Sequence, residues 1–133
     1  MHKKEESDGI DSNLNFKSIF CELSADELKD LHSVTRAVFL KRGDAVFTEG
    51  AYPRGLYYVN KGKIKVTQIG ADGKEQIVHL VKDTDVMGYR AILSGDRYSC
   101  SAILMEDSLL YFIPKDIFFS LLEKNPKFAL QVF

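Results

Sequence analysis

Cysteine is scarce in this chain: Cys21 and Cys100 are the only two among 133 residues. A disulfide framework needs several pairs, and an iron–sulfur cluster needs four thiolate ligands, so the count excludes both. Histidine is almost as rare, with His2, His32 and His79 and no His-x-His pair. A jelly-roll metalloenzyme, which gathers histidines and a carboxylate around its metal, is therefore not expected. No apolar run approaches the about 18–20 residues that cross a bilayer. Residues 1–13 are polar and lack the apolar centre of a secretory signal, so they read as a flexible leader. Charge of one sign is missing too: the net charge is -1. A nucleic-acid-binding domain usually shows a basic excess, so DNA contacts are not expected from this segment. Phosphate-binding glycine loops, nucleophile elbows and paired catalytic carboxylates are absent as well. These absences point to a cytoplasmic protein that is not an enzyme.

What is present suits one globular domain. Hydrophobic residues make up 45% and charged residues 28%, and a chain of this length buries roughly two thirds of its unfolded surface. Ser24-Ala25-Asp26-Glu27 fits a capping box, with Leu23 and Leu28 placed to staple it. Leu28, Leu31 and Val34 then recur at helical spacing, which predicts a helix over 25–34. A weaker helical turn is expected from Asn15 to Phe20. After residue 36 the period changes to that of strands. Apolar runs at 37–40, 45–48, 56–59, 63–67 and 76–81 are separated by turns carrying Gly43, Gly50, Gly62 and Gly73. Asp72-Gly73 is a hairpin signal. Two more strands are expected at about 98–105 and 108–113, and turn signals every 8–12 residues or so indicate a β-sandwich or jelly-roll-like barrel. The end turns helical: Pro114 suits a first turn, and Ile117, Phe118, Leu121 and Leu122 form an apolar stripe. Asn125-Pro126 stops that helix, and 127–133 reads as the start of another, truncated one.

The order of these signals carries a resemblance. Lys41-Arg42-Gly43-Asp44, Phe47-Thr48-Glu49-Gly50, Pro53-Arg54-Gly55-Leu56-Tyr57-Tyr58-Val59, Gly62-Lys63-Ile64-Lys65-Val66 and Asp72-Gly73-Lys74-Glu75-Gln76, followed by Gly88, resemble the N-terminal domain of the catabolite-activator and fumarate-nitrate regulator (Crp/Fnr) family. The resemblance runs from about Phe16 to Pro126. It implies a mainly β fold, a double-stranded β-helix or jelly-roll-like β-roll with short flanking helices at both ends. The expected division is a leader at 1–13, a cyclic-nucleotide-binding-like sensor at 14–126, and the opening of a dimerisation helix at 127–133. It also implies a small-molecule effector, a homodimer in the intact protein, and DNA binding only through a C-terminal helix-turn-helix that this chain does not contain. The competing expectation is a stand-alone ligand or protein-interaction module without DNA binding.

In that family a glycine matching Gly88 precedes a glutamate for the ribose, and an Arg-Ser pair further on holds the cyclic phosphate. Here Tyr89 stands at the glutamate position, Tyr98 at the arginine position and Ser99 at the serine position; Arg97 comes one residue early. In a strand, one residue early means the opposite face unless a bulge intervenes. The candidate ligand-binding residues are thus Gly88, Tyr89, Arg90, Arg97, Tyr98 and Ser99. Two readings stay open. Arg90 and Arg97 together replace the missing arginine and hold a cyclic nucleotide or another small anionic effector. Alternatively, Tyr89 and Tyr98 fill the pocket, which then holds another ligand or none. Haem ligation by His79 or His32 is not expected, no cofactor is assigned, and Cys100 is expected to pack as a small apolar group.

Overall fold

The computed structural model describes residues 20 and 22–132. The leader, the turn expected from Asn15 (Phe20 apart), His2, Cys21 and Phe133 lie outside the described residues. The elements in chain order are α1 (Ala25–Val34), β1 (Arg36–Leu40), β2 (Ala45–Phe47), β3 (Gly55–Lys61), β4 (Lys63–Ile69), β5 (Glu75–Lys82), β6 (Val86–Met87), α2 (Tyr89–Ser94), β7 (Ser101–Leu104), β8 (Ser108–Pro114), α3 (Lys115–Lys124) and α4 (Pro126–Val132).

The strands form two four-stranded antiparallel sheets, ordered β1-β8-β3-β6 and β2-β7-β4-β5. Two β-sheets packed face to face with short helices at both ends are the roll expected from the turn spacing. β3 and β8 lie inside the first sheet, and both of their faces are covered. Leu56 and Tyr58 of β3, with Tyr111 and Ile113 of β8, pack outward against the helices. Val59 and Leu110 pack inward among Ile64, Val66, Val81, Ala102 and Leu104. This is why Leu56-Tyr57-Tyr58-Val59 reads as an unbroken apolar run, while β4, with one face toward solvent, alternates. The β4–β5 hairpin turns on Gly73, whose φ of 80° suits glycine in the left-handed region. The Gly70 amide donates to the Lys74 carbonyl at 2.8 Å and closes the loop.

The helices rest on local chemistry. The Ser24 hydroxyl accepts from the Glu27 amide at 3.1 Å, and the Glu27 carboxylate accepts from the Ser24 amide at 2.9 Å. These bonds satisfy donors that a helix start leaves orphaned. The same Glu27 carboxylate accepts from Asn125 Nδ2 at 2.7 Å, and Asn125 Oδ1 accepts from the Phe128 amide at 3.0 Å. Asn125 thus ends α3, caps α4 and ties both to α1. Phe20, Phe118 and Phe128 are fully buried and join the chain start to these helices; the Phe20 and Phe128 rings stack at 5.8 Å. Pro114 departs slightly from expectation: it ends β8 and sits at the cap before α3 rather than inside its first turn.

Two segments differ from the sequence reading. The strand expected from about residue 98 begins only at Ser101. Tyr98, Ser99 and Cys100 form an irregular segment: the backbone bonds of Tyr98 go sideways to Gly50 and Ala51 in the loop after β2, and the Ser99 carbonyl accepts from the Gln68 side chain. The second difference is β6 and α2, which periodicity did not indicate: the strand has two residues and the helix six.

Candidate functional site

A cleft of about 560 Å³ opens where the two sheets part, between β5, the β6–α2 segment and residues 98–100. That volume lies within the range of small-molecule sites. Val66, Val81, Val86, Met87, Ala91 and Phe47 supply apolar lining; His79, Asp85, Arg90 and Ser99 supply polar groups.

The turn leading into it is strained. Thr84 has φ of 71°, unfavourable for a β-branched residue. Bonds on each side hold it: the Thr84 amide donates to the Val59 carbonyl at 2.7 Å, and the Asp85 carboxylate accepts from the Lys82 amide at 3.0 Å. Gly88 follows with φ of 92° as the residue before α2. The nearest atoms a Cβ there would meet are Tyr98 Oη at 3.5 Å, the Gly55 carbonyl at 3.6 Å and Leu56 Cα at 3.8 Å, ordinary contacts. The backbone angle, not lack of space, is what calls for glycine.

Of the six residues expected to bind ligand, Gly88, Tyr89, Arg90, Tyr98 and Ser99 line this one cleft, and Arg97 does not. The Arg97 guanidinium lies 4.4 Å from the centroid of the Tyr52 ring and donates to the Gly50 carbonyl at 3.3 Å. Its outward placement does not come from strand alternation, since 97–100 is not a strand; it follows from the sideways pairing of this segment with residues 49–51. Gly50 donates to the Tyr98 carbonyl at 2.8 Å, Tyr98 donates to the Ala51 carbonyl at 2.9 Å, and Glu49 donates to Ser101 Oγ at 2.9 Å.

Tyr98, so anchored, turns its ring inward. It is 7% exposed and stacks on Phe47 with centroids 3.9 Å apart and planes 9° from parallel. Burial, with a smaller contribution from Tyr57, pushes its hydroxyl pKa well above the ordinary tyrosine value, so it stays neutral. Tyr89 begins α2 and meets Phe118 edge-on at 6.4 Å. Arg90 is exposed, with its guanidinium 5.8 Å from the Tyr89 ring centroid. Among the described residues it is the only lysine or arginine lining the cleft. Ser99 is exposed, and its carbonyl accepts from Gln68 Nε2 at 3.1 Å.

Cys100 is half-buried, packs against the inter-sheet core and lines the cleft; burial raises its thiol pKa. His79 stands exposed at the cleft, and His32 is not part of it. Among the described residues no three His, Cys, Asp or Glu side chains gather as a metal site. Sequence reasoning missed Phe47, Val66, Val81, Asp85, Val86, Met87 and Ala91, which come from separate elements; no local signal marks them.

Comparison with known proteins follows from this geometry. Residues 37–125 match the family described as cyclic nucleotide-binding domain. The chain is 32% identical over 111 residues to the fumarate and nitrate reduction regulatory protein of Vibrio cholerae, covering 83% of this chain and 44% of that protein. It therefore spans less than half the length of that relative. The sensor domain of the transcriptional regulator DNR from Pseudomonas aeruginosa superposes with a TM-score of 0.79 at 23% identity, over 87% of this chain and 78% of that one. The Thermus thermophilus catabolite activator protein superposes with a TM-score of 0.77 at 22% identity, over 87% of this chain and 55% of that one. Among the described residues no helix is long and apolar enough to cross a membrane.

Proposed function

Because this chain belongs to the cyclic nucleotide-binding domain family and is homologous to Crp/Fnr-type transcription regulators, we propose that it is the effector-sensing domain of such a regulator. In this reading residues 14–126 form the sensor, and 127–133 open the helix that pairs two subunits. DNA is contacted by a C-terminal helix-turn-helix outside this chain, and the whole protein acts in the cytoplasm without catalysing a reaction. The observation that carries the proposal is the cleft: a small-molecule-sized space with Gly88, Tyr89, Arg90, Tyr98 and Ser99 around it. Its chemistry argues against a paired-arginine clamp for a cyclic phosphate, since Arg97 is engaged with Gly50 and Tyr52. Arg90 is left as the cation for an anionic effector.

Thermal denaturation in the presence of cyclic AMP, cyclic GMP and a panel of small metabolites tests this. An effector at about 100 times its Kd stabilises the fold by roughly 2.7 kcal/mol, a rise in Tm of about 9 °C for a chain of this size. The rise should disappear in Ala91→Phe, which fills the cleft. If no compound on the panel stabilises the chain or perturbs the amide signals of residues 88–91, the sensing role is wrong.

A further inference from the structure

The cleft is chemically lopsided. Its inner wall carries Val66, Val81 and Met87, all buried, and its floor is the Tyr98–Phe47 stack. Tyr98 is pinned through its own backbone amide and carbonyl to Ala51 and Gly50. It is a fixed part of the floor rather than a flap that swings aside. Among the described residues no lysine or arginine lines the deep part of the cleft, and a buried unpaired anion is strongly disfavoured. Among the described residues the one guanidinium lining the cleft, that of Arg90, is exposed at the mouth. There it forms a charge-assisted hydrogen bond without its partner leaving water entirely. Asp85 shares the cleft and adds a carboxylate, which repels a second negative charge.

Resting on the reading of this cleft as the effector site, we propose that its ligand is a small amphipathic monocarboxylate, held with its apolar body against Val66, Val81 and Met87 and its carboxylate at Arg90, and that Tyr98 sets this choice. A neutral aromatic floor accepts hydrocarbon, whether an aliphatic chain or an aromatic ring. A single rim cation selects one charge over two.

The test uses the full chain, with sodium octanoate and sodium phenylacetate as the aliphatic and aromatic probes. n-Octanol, inorganic phosphate and cyclic AMP serve as comparators. Tm and the amide signals of residues 88–91 are followed against concentration. At least one carboxylate should raise Tm saturably, octanol should bind on the order of tenfold more weakly, and phosphate should have no effect. Arg90→Ala should reduce the carboxylate to the octanol level, Arg90→Lys should restore part of the loss, and Tyr98→Ala, which removes the aromatic floor, should weaken carboxylate and octanol alike in the amide-signal titration. Saturable stabilisation by cyclic AMP with none by either carboxylate overturns the ligand class but leaves the sensing role standing. Equal carboxylate affinity in wild type and Arg90→Ala, or undiminished binding in Tyr98→Ala, overturns the assigned contacts. If the metabolite panel fails as well, the sensing role itself falls.

Discussion

Truncating Tyr98 to alanine measures whether the floor of the cleft is a structural fixture. The ring is almost fully buried and stacks on Phe47 at 3.9 Å. Removing a buried aromatic forfeits roughly 1.5–3 kcal/mol of transfer free energy. The lost stack adds about 0.5–1.5 kcal/mol. The further cavity penalty seen in closed cores is reduced here, because the space left behind merges with the cleft and admits water. The expected loss is therefore about 3 kcal/mol, equivalent to a fall in Tm of roughly 10 °C at this chain length. Tyr98→Phe keeps the ring and both backbone bonds to residues 50 and 51, so its effect should stay below about 1 kcal/mol. Urea denaturation followed by circular dichroism gives both values, with an unchanged slope confirming a native-like fold. A loss under about 1 kcal/mol for Tyr98→Ala would refute the fixed-floor argument. So would a loss for Tyr98→Phe as large as that for alanine, since the hydroxyl and not the stack would then be the source.

Five further outcomes follow from the same structure. Thr84→Gly should stabilise the chain by about 1 kcal/mol, because it relieves a left-handed φ that a β-branched residue adopts reluctantly; denaturant midpoints decide the sign. Gly88→Ala should cost about 1–2 kcal/mol from its backbone angle alone. Gly55→Ala should cost clearly more in the same assay, because its Cβ would clash with the Ile113 carbonyl oxygen and the Phe112 ring. The Glu27 carboxyl is held below its ordinary pKa chiefly by the Ser24 amide, so its contribution to stability is present above pH 4.5 and is lost as pH falls through the lowered value; Glu27→Gln should flatten that part of the pH–stability curve. Desolvation lowers the His32 pKa below its ordinary 6.5, so the ring titrates by NMR at a midpoint under that value. It favours folding in neutral form, and its contribution falls as pH drops below 6.5.

Much of the fold was legible because local chemistry and global packing agree. The capping box around Ser24 and Glu27 placed α1, and Asn125-Pro126 ended α3, each through a bond that acts over a few residues. Glycines marked the turns, and Leu56-Tyr57-Tyr58-Val59 announced a strand covered on both faces. The failures have the opposite character. The helix α2 has only six residues and begins after a left-handed glycine with no side-chain cap, so neither a period nor a capping signal exists to be read. Tyr98-Ser99-Cys100-Ser101-Ala102 alternates well enough to pass for the start of a strand. Its first residue, Tyr98, is claimed by backbone hydrogen bonds to Gly50 and Ala51, some 50 positions away, which no local pattern records.

The same distinction runs through the site. Gly88 was legible because its conformation is written into its residue type. The roles of Arg97 and Tyr98 were not, because adjacency in sequence says nothing of which side a chain faces once the strand ladder is gone. The Arg97 guanidinium is taken away from the cleft lining by the loop that brings it to Tyr52 and Gly50, not by strand alternation. That loop also orients the Tyr98 ring inward, so one set of bonds removes a cation from the cleft and installs an aromatic floor. In the proposed reading of this cleft as an effector site, its electrostatic selectivity rests on residues 49–51, none of which lines it. A change in that loop that frees Arg97 should alter which ligands the cleft accepts, although it touches no residue of the cleft wall.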